Sequence, residues 1–78
     1  MRELIEYIAS SLVDDPSQVE INQYRRGSFV TLTLRVAKED MGRVIGKGGR
    51  VANAMRTLLR VSAAQEGKQA NLDITEPR

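Results

Sequence analysis

The chain has 78 residues, of which 41% are hydrophobic and 28% are charged; this length supports one domain with a modest core and leaves no room for a deep substrate cavity. It contains no cysteine and no histidine, which excludes disulfides, Cys/His metal sites, thiol catalysis and imidazole acid–base catalysis. Its apolar runs are too short for a membrane span or a signal-peptide core, so we expect a cytoplasmic protein without a membrane partner.

Positive charge is concentrated in one segment of the chain. Twelve Lys and Arg against ten Asp and Glu give a net charge of only +2, but residues 41–60 hold five of the basic residues and none of the acidic ones. Such a segment indicates a surface that binds a polyanion, although the same charges could form an ordinary solvated helix face. The five residues are Arg43, Lys47, Arg50, Arg56 and Arg60.

The first half of the chain predicts a helix followed by a β-hairpin. Residues 2–13 carry apolar side chains at helical spacing, and the helix should end before Pro16, because the residue preceding a proline avoids helical geometry. Residues 18–24 and 29–36 alternate apolar and polar side chains as strands do, and Gly27 between them suits a turn. The predicted buried positions are Leu4, Ile5, Ile8 and Leu12 in the helix, Val19 and Ile21 in the first strand, and Val30, Leu32, Leu34 and Val36 in the second.

Two helices separated by glycines, and then a strand, are predicted for the second half. A short helix at residues 39–45 has acidic side chains in its first turn, including Asp40, as the helix dipole favours. Gly46–Gly49 must interrupt it. A longer helix at residues 50–66 should end at Gly67, a suitable residue for the left-handed position after a helix. A last strand is predicted at 70–75, with Leu72 and Ile74 pointing inward, and residues 76–78 form a tail. In the helix at 50–66 the predicted buried stripe is Val51, Met55, Leu58 and Ser62, and the opposite face carries Asn53, Arg56, Thr57 and Arg60.

The element order αββααβ predicts a two-layer α+β domain. Three strands form one sheet, and three helices cover one face of it. The helix–loop–helix segment at residues 39–66 is long enough to be the crossover between two of the strands. We expect residues 1–78 to form a single domain.

The segment Gly42–Val51, with the sequence GRVIGKGGRV, carries the chemistry. A Walker P-loop requires four residues between its glycines and a Ser or Thr after the lysine, whereas here Gly48 follows Lys47. The dinucleotide-binding pattern GxGxxG fails at its third glycine, where Val51 stands. A glycine-rich linker between two helices remains as a purely structural interpretation.

The functional interpretation that survives is a clamp for single-stranded nucleic acid. Gly46 and Gly49 lack side chains, so a sugar–phosphate backbone can approach closely. The loop leads into the N-terminus of the second helix, where free N–H groups and the helix dipole favour an anion, and Lys47 adds a mobile positive charge. Val44 and Ile45 stand just before the loop and can line an apolar groove for unstacked bases.

The run VIGKGG, with the preceding GR, resembles the VIGxxG signature of KH domains. The element order is similar to the type II, bacterial-style KH fold, and the whole chain resembles the small stand-alone bacterial KH proteins of the KhpA family. The resemblance implies an RNA-binding protein with no catalysis, cofactor or metal, whose groove takes about four nucleotides. The implied RNA-binding residues are Gly46, Lys47, Gly48 and Gly49 in the loop, Val44 and Ile45 in the groove floor, and Arg43 and Arg50 beside it.

Two positions depart from the family pattern. The second variable position of the loop, often basic in the family, is Gly48, so the loop tip carries one cation and a weaker phosphate contact is expected. The apolar position after the loop, usually isoleucine, is Ala52, which would make the groove shallower or be repacked.

The resemblance implies single-stranded RNA as a partner, together with a homodimer and/or a heterodimer with a larger KH-containing RNA-binding protein. It also implies a post-transcriptional regulator or RNA chaperone connected with cell envelope, cell shape and division. An alternative is a protein–protein or dimerisation module in a larger RNA-binding complex. Its interface would be the strip of Ala52, Leu59 and Ala63, which the first helix could equally cover. An enzyme is not expected, because the chain lacks a plausible catalytic constellation.

Overall fold

The computed structural model describes residues 1–75, which contain the αββααβ order predicted from the sequence. Short 3-10 turns join some of these elements, and the predicted tail at 76–78 lies outside the described residues. Within residues 1–75, none of the helices is both long and apolar enough to cross a membrane. The elements are α1 (Arg2–Leu12), β1 (Glu20–Arg26), β2 (Phe29–Arg35), α2 (Met41–Ile45), α3 (Arg50–Gln65) and β3 (Gln69–Thr75).

The three strands form one sheet in the order β1-β2-β3. β1 and β2 are antiparallel and remain paired up to Arg26 and Phe29, so only Gly27 and Ser28 form the turn. The strand predicted at 18–24 is therefore placed too early, because a two-residue turn sets the register of the hairpin and alternation alone does not. β2 and β3 are parallel, and the crossover between them runs through α2 and α3, as predicted.

One face of the sheet carries the hydrophobic core. Val30, Leu32, Leu34 and Val36 are fully buried, which confirms the alternation predicted for β2, and Leu72 of β3 pairs with Leu32. Side chains from α1, α2 and α3 complete this cluster. The intervening residues of β2 are less buried, so the opposite face of the sheet is the more polar one.

The buried stripes of the helices differ from those predicted. α3 buries Ala52, Met55, Leu59 and Ala63, whereas Leu58 is 47% exposed. Apolar residues occur on both flanks of α3, and the alanines face the core because small side chains allow close packing. In α1 the buried residues are Ile5 and Ala9, whereas Leu12 is exposed. Two strand residues, Ile21 and Leu72, are buried as predicted. The remaining residues predicted to be buried are only half-buried: Leu4, Ile8, Val19, Val51, Ser62 and Ile74.

The strip assigned above to a protein interface is part of this core. Ala52, Leu59 and Ala63 are at most 3% exposed. A partner protein could not reach these side chains in the folded domain, so of the two possibilities left open by the sequence the structure selects the core and excludes the interface. An apolar residue on a helix belongs either to the core or to an interface, and only packing against the sheet decides between them.

Gly67 ends α3 as predicted. Its φ is 70°, its N–H donates to the Ala64 carbonyl at 3.0 Å, and the Lys68 N–H donates to the Ala63 carbonyl at 2.9 Å. These are the two hydrogen bonds of a Schellman motif. They satisfy the last carbonyls of α3 and turn the chain into β3.

Candidate nucleic-acid interface

The loop between α2 and α3 is a tight corner built from glycines. The Gly46 N–H donates to the Gly42 carbonyl at 2.9 Å, and the Gly49 N–H donates to the Gly46 carbonyl at 3.2 Å. A single 3-10 turn, Lys47–Gly49, fills the corner before α3 begins. The predicted loop residues are thus brought together in one turn, with Lys47 and Gly48 exposed.

Gly46 is the residue that the corner requires. Its φ of 74° and ψ of 174° lie in a region that glycine alone adopts readily. A Cβ at this position would lie 2.5 Å from Val51 Cγ2 and 3.0 Å from the Val51 backbone nitrogen. Gly48 also has a positive φ, 63°, but a Cβ there would meet nothing within 4 Å. Close packing onto α3 therefore demands Gly46, whereas the backbone at Gly48 is open to solvent.

The N-terminus of α3 carries no side-chain cap. Gly49 is the N-cap residue and makes no side-chain hydrogen bond to the first turn, so the N–H groups of that turn have no side-chain acceptor. α3 is 16 residues long, and the positive end of its dipole adds to the charges of Lys47 and Arg50, which are both exposed. This combination of charge and free donors is suited to a phosphate group.

Asp40 and Arg43 form a network that ties α2 to the end of α1. Arg43 Nη1 lies 2.9 Å from Asp40 Oδ1, and Arg43 Nη2 lies 3.0 Å from Asp14 Oδ2. The buried Asp40 also accepts the backbone N–H of Asp14 at 3.0 Å and of Asp15 at 3.1 Å. Asp40 was predicted to serve the dipole of its own helix, but its side chain makes no cap hydrogen bond there. Instead it caps the backbone that follows α1.

The hydrogen bonds of this network favour an ionised Asp40. The backbone N–H of Asp14 is the largest cause that lowers the pKa of the Asp40 carboxyl below its usual value of 3.8, and Asp15 and Arg43 lower it further while burial opposes them. The predicted RNA contact Arg43 is therefore already paired with two carboxylates. Although acidic side chains meet here, residues 1–75 contain no cluster of three or more that could hold a metal ion.

The two apolar residues before the loop have different environments. Val44 is 0% exposed and belongs to the core, whereas Ile45 is 37% exposed. The structure therefore leaves Ile45 accessible to a ligand beside the loop. Val44 supports the same segment from inside the core.

Arg56 links α3 to the outer edge of the sheet. Its Nε donates to the Leu72 carbonyl of β3 at 3.1 Å, and its Nη1 donates to Asn53 Oδ1 at 3.1 Å. Helical spacing predicts an exposed Arg56, but its side chain is half-buried against β3. We call the line along which this flank of α3 meets β3 the α3/β3 seam. The α3 residues on this flank are Asn53, Arg56, Arg60 and Ala64. These residues follow one another at intervals of three or four along the helix, and this spacing is the sequence signal that could have identified the flank.

Gly46→Ala should destabilise the fold more than Gly48→Ala. The first substitution combines a glycine-only backbone conformation with a clash against Val51, and we expect it to lower the free energy of unfolding by about 3 kcal/mol or more. The second adds only a left-handed backbone penalty of about 1 kcal/mol. Urea unfolding followed by circular dichroism measures both. Equal losses would contradict the role assigned to Gly46.

Asp40→Asn should lower the urea midpoint at neutral pH. Because the folded-state pKa of Asp40 is depressed, its carboxylate stabilises the fold above pH 3.8 and loses this effect as the pH falls through the lower folded-state pKa. The difference between wild type and Asp40→Asn should therefore shrink at acidic pH. Urea titrations over a pH series test this, with Glu39→Gln, an exposed neighbouring acid, as the control. A difference that stays constant with pH would refute it.

Comparison with known proteins places the chain in a family. A family profile described as "KhpA/KhpB, KH domain" matches residues 2–74. The chain is 46% identical over 74 residues to the RNA-binding protein KhpA of Clostridium perfringens, covering 95% of this chain and 99% of the relative. It is 46% identical over 76 residues to the RNA-binding protein KhpA of Listeria monocytogenes, covering 97% and 100%. The protein of the same name from Treponema pallidum is 47% identical over 74 residues, covering 95% and 92%.

These matches confirm the resemblance carried by the GRVIGKGG run. The profile spans almost all of the chain, and the relatives align over nearly their full lengths. The glycine corner described above lies inside the matched range, between two of the helices of the observed αββααβ order. The chain belongs to the KhpA/KhpB family of KH-domain proteins.

Proposed function

We propose that this protein binds single-stranded RNA at the Gly46–Gly49 loop and performs no catalysis. The observation that carries the proposal is that the loop leads directly into the uncapped N-terminus of α3, beside the exposed Lys47 and Arg50. RNA presents a phosphate at every nucleotide, and backbone N–H groups can bind it where no side chain intervenes. Family membership supports the proposal, since the curated relatives are named RNA-binding proteins.

The predicted site residues receive separate roles in this proposal. The four loop residues and Arg50 contact the phosphate backbone, and Ile45 offers an exposed apolar surface to a base. Val44 supports this surface from the core, because its side chain is inaccessible. Arg43 holds α2 in place through Asp40 and Asp14. The groove takes about four nucleotides, as KH domains do.

The cellular role we propose follows from RNA as the ligand. A small domain with a few phosphate contacts binds RNA with modest affinity and limited base specificity. Those properties suit a cytoplasmic post-transcriptional regulator or RNA chaperone, with effects on cell shape arising from the transcripts it controls. No cofactor enters this mechanism.

Lys47→Asp combined with Gly48→Asp should abolish RNA binding without unfolding the domain. Both residues are exposed at the loop tip, and two carboxylates facing phosphate should cost about 3 kcal/mol, at least a hundredfold in affinity. Fluorescence anisotropy with an unstructured RNA of about 12 nucleotides, at two salt concentrations, measures the loss. Circular dichroism checks the fold.

A matched control is Arg2→Asp combined with Gln18→Asp. It changes the net charge by the same amount at exposed positions near β1, on the opposite edge of the sheet from β3. It should retain salt-dependent binding. Equal binding by wild type and the loop variant, or no binding by wild type, would contradict the proposal.

We also propose that the domain pairs through α3 with a second copy of itself or with the KH domain of a larger RNA-binding protein. Leu58 and Val61, 47% and 53% exposed, lie one turn apart on this helix. Leu58 lies about 200° around the helix from Arg56, so it faces away from the α3/β3 seam. A dimer formed there leaves both loops free, and two linked sites bind a long RNA more tightly than one.

Leu58→Glu combined with Val61→Glu should therefore give a folded monomer. Sedimentation equilibrium measures the mass, and Tyr7→Glu, which changes an exposed apolar residue of α1, is the control that should remain dimeric. A wild type that is monomeric at every concentration tested, or a double variant that still dimerises, would rule out this interface.

A further inference from the structure

The face of the sheet opposite the helices is open to solvent. Val30, Leu32 and Leu34 of β2 are fully buried against the helices, so the residues that alternate with them point the other way. The strand pairings extend this face to every second residue of β1 and β3. We call the half of it nearest the turn between β1 and β2 the outer hairpin face. None of its six residues is buried; they are Tyr24, Arg26, Phe29, Thr31, Gln69 and Asn71.

Two exposed aromatic side chains are neighbours on the outer hairpin face. Tyr24 is 64% exposed and Phe29 is 44% exposed. Tyr24 lies opposite Thr31, and Phe29 lies opposite Arg26. The two aromatic residues are therefore diagonal neighbours, with Cα atoms about 7–8 Å apart. Sheets that bind RNA stack two or three bases on aromatic side chains, and such stacking accepts any base because every base has a flat π face.

The polar side chains of the outer hairpin face suit an RNA strand. Arg26 stands beside Phe29 and can pair with a phosphate. The amide groups of Gln69 and Asn71 can donate to and accept from base edges. The carboxylates of the same side of the sheet, Glu20 and Asp73, lie further from the turn. The half that holds the two rings therefore carries a cation and no acidic residue, which complements a phosphate backbone.

The outer hairpin face and the glycine loop lie on opposite sides of the sheet, since α2 and α3 pack on the helix side. A KH groove takes about four nucleotides, so an RNA that fills only the groove stays on the helix side. A longer strand can pass around an edge of the sheet. The domain is 35 Å long, and about 20 nucleotides at roughly 3.4 Å each span about twice this length.

We propose that the outer hairpin face is a second RNA-binding surface, on which two bases outside the groove stack on Tyr24 and Phe29 while Arg26 pairs with a neighbouring phosphate. This inference rests on the proposed function and extends it to the opposite side of the domain. Two stacked bases offset only part of the cost of association. The surface therefore acts on a strand that the loop already holds, and it tolerates any base there.

Tyr24→Thr combined with Phe29→Val tests the stacking, because β-branched residues retain the strand preference while both rings are lost. Affinity for an unstructured RNA of about 20 nucleotides should fall at least fivefold, the loss expected for one stacked base. Affinity for an RNA of about 6 nucleotides should be unchanged, because the groove holds most of it. Fluorescence anisotropy measures both. Paired domains also favour a long RNA, so each variant is compared with wild type on the same RNA.

Matched variants separate the rings from the fold. Tyr24→Phe retains the ring and should bind the long RNA as wild type does. Tyr7→Ala removes a ring that is 74% exposed on α1 and should also leave this affinity unchanged. Arg26→Gln should reduce the slope of log K against log salt by about 0.7 on the long RNA, the value for one phosphate on a single strand. Urea midpoints verify that all variants fold.

Tryptophan fluorescence gives a readout independent of affinity. The chain has no tryptophan, so Tyr24→Trp places a single reporter on the outer hairpin face. The long RNA should quench this reporter, and the short RNA should not. Adding the Lys47→Asp and Gly48→Asp substitutions should abolish the quenching, because the loop then no longer holds the strand.

The outcomes separate this inference from the proposed function. Reduced affinity of the ring-deleted variant for the long RNA alone, with quenching of Tyr24→Trp by that RNA, supports the second surface. If the variant binds the long RNA as wild type does and Tyr24→Trp is not quenched, the second surface is refuted and the loop clamp stands. Ring deletion that changes only the mass in sedimentation equilibrium also refutes it, since a second copy of the chain is then the occupant. If wild type binds neither RNA, the proposed function fails and the inference fails with it.

Discussion

The close approach of Gly46 to Val51 is the constraint on which the arrangement of the site depends. α2 and α3 meet at this corner only because no side chain stands between Gly46 and the first turn of α3. The same corner leaves the first turn of α3 without a side-chain cap. A glycine chosen for packing thus produces an exposed backbone surface able to bind an anion.

α3 presents three different surfaces. Its alanine-rich stripe packs into the core, its seam flank contacts β3 through Arg56, and its outward flank exposes Leu58 and Val61. Each surface follows from helical periodicity, because residues three or four positions apart share a face. One helix can therefore pack into the core, contact the edge strand and still keep an apolar flank exposed.

Sequence patterns predicted the backbone better than the environment of individual side chains. The alternation in β2, the break at Gly46–Gly49 and the end of α3 at Gly67 were all identified, because each depends on local conformation. The choice between Leu58 and Leu59 for the core was missed, since both flanks of α3 contain apolar residues and only contact with the sheet distinguishes them. The partners of Asp40 were missed for a related reason: Asp14 and Asp15, whose backbone N–H groups it accepts, are 26 and 25 residues away along the chain.

The sequence by itself determined the element order, the glycine corner, the segment rich in positive charge and the family to which the chain belongs, because these follow from residue type and spacing. Tertiary structure alone decided which cations are paired, which apolar side chains are core, and that Phe29, Arg60 and Lys68 line one depression. These three residues lie on different elements or connections of the chain. They converge because the parallel crossover brings the end of α3 back beside the start of β2 and β3, a proximity that no local pattern encodes.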